Sequence, residues 1–105
     1  MITAIVRFNI PKETTLAQAT DAYRGTAPKY QGLPGLVRKY YLFGEECEVG
    51  GVYLWESREQ AEAFYNADWK KFIADRYGAE PKIQYFESPV IVDNAVSEVI
   101  VDAAE

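Results

Sequence analysis

Histidine is missing from this 105-residue chain, and the absence excludes a great deal of chemistry. It removes Ser-His-Asp and Cys-His nucleophilic sites, and with them every zinc site that needs imidazole. The commonest general base near neutral pH goes too. Cysteine occurs once, at Cys47, so no disulfide can form within the chain, which fits a reducing cytoplasm. Positive charge is in short supply: 11 Lys and Arg stand against 16 Asp and Glu, for a net charge of −5, and no basic cluster occurs. That balance argues against nucleic acid or an anionic membrane as the main partner. No run approaches the ~20 apolar residues that span a bilayer. The first residues pass straight into "ITAIVRF" without a basic leader or a signal-length apolar segment, so a soluble cytoplasmic protein is expected.

What is present is globular. Hydrophobic residues make up 49% and charged residues 26%, enough for one domain with a single core. "ITAIVRFNI" (Ile2 to Ile10) alternates as a strand and stops at Pro11. Thr15 with Gln18 forms a capping-box pattern, after which Leu16, Ala19, Tyr23, Ala27 and Tyr30 fall at helical steps. A kink or a short second turn is expected around Pro28. "LVRKYYLF" (Leu36 to Phe43) reads as a second strand, and "GGVYLWES" (Gly50 to Ser57) holds a third. Ser57 with Gln60 repeats the capping device ahead of a second helix, in which Asp68 is positioned to cap a restart and Gly78 to end it left-handed. "KIQYFESPVIVD" (Lys82 to Asp93) reads as a fourth strand, bent at Pro89, and "VSEVIV" as a short further one. The order β-α-β-β-α-β predicts an α+β, ferredoxin-like protomer: a four-stranded antiparallel sheet with two helices on one face. Residues 1–94 form the expected domain and 95–105 a C-terminal extension.

"GGVYLWES" raises a further expectation. Val52 and Leu54 point to one side of the strand while Tyr53 and Trp55 point to the other, and neither set suits water. Each large side chain left uncovered forgoes ~1.5–3 kcal/mol of burial. An identical sheet related by a two-fold axis is the simplest cover, so a homodimer is expected.

"APKYQGLPGLVRKYYL", "GGVYLWESREQAEAFY" and "RYGAEPKIQYFESPVIVDN" together resemble the small bacterial mono-oxygenases of the dimeric α+β barrel superfamily. The resemblance runs over roughly Ile2 to Asn94. It implies a sheet that joins its twin's in a barrel, and a ligand pocket between sheet and helices in each subunit. Superfamily members include oxygenases that make quinones from hydroxylated polycyclic aromatics without metal or flavin, haem-degrading enzymes, and isomerases. Haem degraders carry an Asn on the first strand, then a Trp and a His on the second helix. Asn9 and Trp69 are the counterparts here, and no His completes the set. The quinone-forming enzymes carry Asn, Trp and Tyr in or near the second helix, types that Asn66, Trp69 and Tyr77 supply.

The resemblance implies a cofactor-independent mono-oxygenase acting on a small hydroxylated aromatic or quinonoid compound. The alternative is a non-catalytic homodimer that binds a small apolar or aromatic molecule, which the lack of histidine and of an obvious acid–base pair favours. An isomerase would need a buried carboxylate such as Glu87. The pocket candidates are Arg38, Tyr40, Trp55, Phe64, Trp69, Phe72 and Tyr85. Arg38, in a strand otherwise largely apolar and aromatic, either fixes an anionic substrate or a developing phenolate, or makes a charge pair across a dimer or snorkels at the strand edge. Tyr40 shares its face; Tyr40 or Tyr85 would hydrogen-bond the ligand, and Trp55, Phe64, Trp69 and Phe72 would form walls. Arg7 repeats Arg38's pattern more weakly. Cys47, beside Glu45, Glu46 and Glu48, has a neighbourhood that raises a thiol's pKa, so no activated nucleophile is expected. No catalytic residue or metal ligand is assigned.

Overall fold

Strand β1 (Ile2–Asn9) sits second from one edge of the sheet, and its alternation is nearly complete. Ile2, Ala4, Val6 and Phe8 are buried on one face; Thr3, Ile5, Arg7 and Asn9 occupy the other. The computed structural model describes residues 1–102. Helix α1 (Leu16–Tyr30) follows a complete capping box: Gln18 N donates to Thr15 Oγ1 at 3.1 Å, and Thr15 N donates to Gln18 Oε1 at 2.9 Å. It continues through Pro28 to Tyr30 as a single helix. Strand β2 (Leu36–Phe43) and strand β3 (Glu48–Trp55) are joined through a short 3₁₀ turn at Glu45–Cys47.

The second helical region divides. Helix α2 (Arg58–Phe64) begins at Ser57, whose Oγ accepts from Gln60 N at 3.1 Å. Helix α3 (Ala67–Tyr77) restarts at Asn66 rather than Asp68: Asn66 Oδ1 accepts from Trp69 N at 2.9 Å. Asp68 falls in the first turn, where its charge complements the helix dipole. Gly78 closes α3 at φ 78°, as a left-handed cap. Strand β4 (Lys82–Glu87) completes an antiparallel sheet in the order β2-β3-β1-β4.

The expected fourth strand ends earlier than Asp93. Ser88 and Pro89 interrupt it, and β5 (Val90–Asp93) pairs instead with β6 (Glu98–Val101) in a separate hairpin. The hairpin is tied to the main sheet by an ion pair, Arg38 Nη2 to Asp93 Oδ2 at 2.7 Å, and by the N-terminal ammonium with Asp102. Thus the 94/95 boundary falls within a paired unit.

The core lies between the sheet and the helices, where Tyr53, Trp55, Tyr65, Trp69 and Ile73 are buried together with the inward residues of β1. Both aromatics of "GGVYLWES" belong to this covered side. Trp55 is fully buried and its Nε1–H donates to Tyr65 Oη at 3.0 Å. The face away from the helices carries Ile5, Leu42, Val52 and Leu54, with Tyr40 and Phe86 exposed. The uncovered apolar surface of this face thus includes Tyr40 and Phe86, while Tyr53 and Trp55 lie beneath the helices. Alternation was read correctly, and the helices decided which set they covered.

Candidate functional site

Strand β2 lies at the sheet edge, and its alternation sends Lys39, Tyr41 and Phe43 toward the helices while Arg38, Tyr40 and Leu42 take the open face. Lys39 pairs across from Tyr53 and Tyr41 across from Gly51. The second glycine of "GGVYLWES" has a local purpose here. A Cβ at Gly51 would stand 3.1 Å from Lys39 Cε and 3.0 Å from Tyr53 Cε1, so its absence leaves room for the lysine stem. Gly50, at φ 151°, lies against β1 so closely that a Cβ would meet Val6 O at 1.8 Å.

Lys39 Nζ is surrounded by ring faces. It stands 3.5 Å from the centroid of Tyr41, 3.6 Å from Tyr30 and 4.8 Å from Tyr53. None of its neighbours among the described residues is a carboxylate. Burial pushes the amine down from the ordinary lysine value to about 6. The rings act the other way, because each attracts the ammonium through its quadrupole. The phenols of the cavity move upward: burial pushes Tyr23 up to about 12 and raises Tyr30, Tyr41 and Tyr53. At neutral pH these hydroxyls keep their protons. Lys39 is the cavity group whose charge can change there.

The hydroxyls are mostly engaged. Trp69 Nε1 donates to Tyr30 Oη at 3.1 Å, and Tyr23 Oη donates to Leu42 O at 2.8 Å. Tyr41 Oη shares a 2.7 Å hydrogen bond with Thr26 Oγ1. Tyr23 and Tyr41 stack with centroids 4.6 Å apart. Between the helices and the sheet these side chains enclose a cavity of about 20 Å³, which Trp69, Phe72 and Tyr77 help to line. That is room for about one water. Two open clefts adjoin it between α1 and the β2 edge. One shares Tyr23 and Tyr41 with the cavity, and the other shares Tyr30, Lys39 and Tyr41. Tyr41 is common to all three, so its ring is the partition between cavity and solvent.

Of the sequence candidates, Trp69 and Phe72 line this cavity. Phe64 stands behind it, 5.6 Å from the Tyr30 ring and 5.9 Å from Trp69. Trp55 is core, and Tyr85 on β4 lies beneath Arg58, whose guanidinium carbon is 4.4 Å above its ring. Arg38 and Tyr40 occupy the opposite face of the sheet, where Arg38 is engaged by Asp93. The preference for Tyr40 because it shares a face with Arg38 thus pointed to the side away from the helices. Sequence reasoning missed Lys39, Tyr23, Tyr30, Tyr41 and Tyr53 as a group. One signal was available: Lys39 alternates in phase with Tyr41 and Phe43.

No grouping of three or more Cys, Asp or Glu suited to a metal occurs among the described residues. Nor do the residues fit a haem: the chain has no imidazole, and a cavity of about 20 Å³ is far smaller than a macrocycle.

The antiparallel order β2-β3-β1-β4, with its helices on one face, gives the chain a ferredoxin-like α+β fold. Three solved structures share this fold. A single-residue variant of MhuD, with two manganese protoporphyrin IX groups bound per active site, matches at a TM-score of 0.68 and 19% identity, over 90% of this chain and 100% of that one. NE2512 from Nitrosomonas europaea, of unknown function, matches at 0.65 and 17%, over 83% and 87%. A variant of SnoaB from Streptomyces nogalater, a cofactor-independent oxygenase, matches at 0.59 and 15%, over 83% and 91%. At these identities the likeness establishes the fold. No family model and no curated protein matches the chain.

Proposed function

We propose that the protein is a cofactor-independent mono-oxygenase whose substrate is a small, planar, hydroxylated aromatic or quinonoid molecule held between the sheet and α3. The observation that carries this is the cavity itself: tyrosine, tryptophan and phenylalanine walls around a single amine. Aromatic walls suit a flat ring, and phenol hydroxyls held in their protonated form suit hydrogen bonding to a developing oxyanion. The fold it shares with SnoaB is consistent with that use. For an anthrone-type substrate the balance is simple: a ring CH₂ and O₂ become a ring C=O and H₂O. Dioxygen is the oxidant, and the substrate anion supplies the electrons.

Access requires movement. A bicyclic ring does not fit 20 Å³, and displacement of Tyr41 together with its stacked partner Tyr23 would merge the cavity with the two clefts at the β2 edge. The open sheet face, with Ile5, Leu42, Val52 and Leu54, suits a second copy of the chain, and we read the working form as a homodimer. A lone buried thiol suits a reducing compartment.

A carrier without catalysis is the alternative, and the lack of histidine and of any carboxylate among the described residues of the cavity lining favours it. Oxygen uptake decides between them. The protein is incubated with a panel of anthrones and quinols, aerobically and anaerobically. Uptake above the uncatalysed rate, with product only in the aerobic arm, supports the oxygenase. Tight binding without uptake across the panel leaves the carrier.

A further inference from the structure

Lys39 raises a question that an aromatic pocket alone does not. An amine held against three ring faces without a carboxylate is poised between two states. Exclusion of water disfavours the ammonium, while the ring faces favour it. An anion brought into the cavity would tip the balance. The groups facing Nζ are Tyr30 from α1, Tyr41 from its own strand and Tyr53 from β3. Tyr23 from α1 and Tyr77 from α3 complete the titratable lining. Arg76 lies near enough to favour an anion at Tyr41, and so adds positive rather than negative potential. Among the described residues no counter-ion is supplied from any side, and the ligand would have to bring it.

We propose that Lys39 is the proton acceptor of this cavity: its neutral amine takes the hydroxyl proton of a bound acidic phenol or planar enol, and the ammonium remains in the three-tyrosine cage paired with the new oxyanion. One O–H bond breaks and one N–H bond forms, without oxidation or reduction. This deepens the oxygenase reading and rests on it, since an ionised, electron-rich ring is the species that reacts with O₂. It narrows the substrate to molecules with an ionisable hydroxyl on a flat ring. It also explains the position of Lys39 on an edge strand, where it lines both the cavity and one adjoining cleft. Neutralisation of the phenol's proton inside the cavity would spare the site from drawing a charged ligand out of water.

The test follows the proton directly. 2-Naphthol, whose neutral and ionised forms absorb differently, is titrated into the native protein at pH 8 in weak buffer, with proton release recorded by an indicator. The expected result is bound naphtholate with no net proton released, because the amine receives it. In Lys39→Arg the bound dye is also ionised, but one proton per ligand appears in solution, since guanidinium cannot accept it. In Lys39→Met the bound dye stays neutral. Naphtholate with one proton released by the native protein would show that Lys39 is already charged, and would overturn the acceptor role while leaving the pocket in place. A neutral bound dye would overturn it as well. Failure of the native protein to bind the dye at all would remove the pocket reading, and the acceptor with it.

Discussion

Lys39→Met should make the protein more stable at pH 6 and progressively less so relative to the native chain as the pH rises. In the unfolded chain the amine keeps its proton up to 10.5, whereas burial in the folded protein moves release down to about 6. At about 1.36 kcal/mol per pH unit, that displacement amounts to about 6 kcal/mol against folding. The three ring faces favour the ammonium and make that figure an upper bound. The sign is fixed by proton counting. Between the folded and unfolded values the unfolded chain holds more protons, so native stability rises with pH through this window. The penalty is complete below about pH 6 and fades toward 10.5. Methionine keeps most of the stem's packing and has no charge to desolvate. Urea unfolding followed by tryptophan fluorescence at pH 6, 7, 8 and 9, at fixed salt and protein concentration, measures the difference. The variant's advantage should shrink by about 2–4 kcal/mol between pH 6 and 9. A difference that does not change with pH would mean that Nζ is hydrated in the folded protein, and the reasoning about the cage would be wrong.

Three further outcomes are expected. Tyr65→Phe leaves the Trp55 indole N–H without its partner in the core and should cost about 1–3 kcal/mol in the same unfolding assay. Gly50→Ala forces a methyl group onto Val6 O at a left-handed φ, so it should lose about 3 kcal/mol or more, or fail to accumulate as folded protein. Val52→Glu places a charge at the centre of the open sheet face; sedimentation should give a pair for the native chain and a lone protomer for the variant.

Much of the fold was legible because it is written locally. Thr15 with Gln18 and Ser57 with Gln60 announce helix starts through groups only three residues apart, and alternation from Ile2 to Phe8 fixes which residues of β1 travel together. Gly78 could be read as a left-handed cap for the same reason. The choice of Asn66 over Asp68 as the restart cap was a matter of two residues, both suited by type. What alternation cannot supply is which of two alternating sets the helices cover. Arg38 and Lys39 are adjacent cations in one strand, and only the docking of α1 over Tyr41 decides that Lys39 turns inward. The C-terminal hairpin was hidden for a related reason. Val90 to Asp93 has strand character in either setting, and its partner in β6 is chosen by the turn after it, not by its own sequence.

Lys39 can act on a ligand only if that ligand enters on the helix side of the sheet. Intermolecular NOEs between a bound naphthol and the protein test this most directly. Contacts from the ligand's ring protons to Tyr30, Tyr41, Tyr53 and the Lys39 methylenes are predicted. Contacts confined to Ile5, Val52 and Leu54 on the opposite face would contradict it.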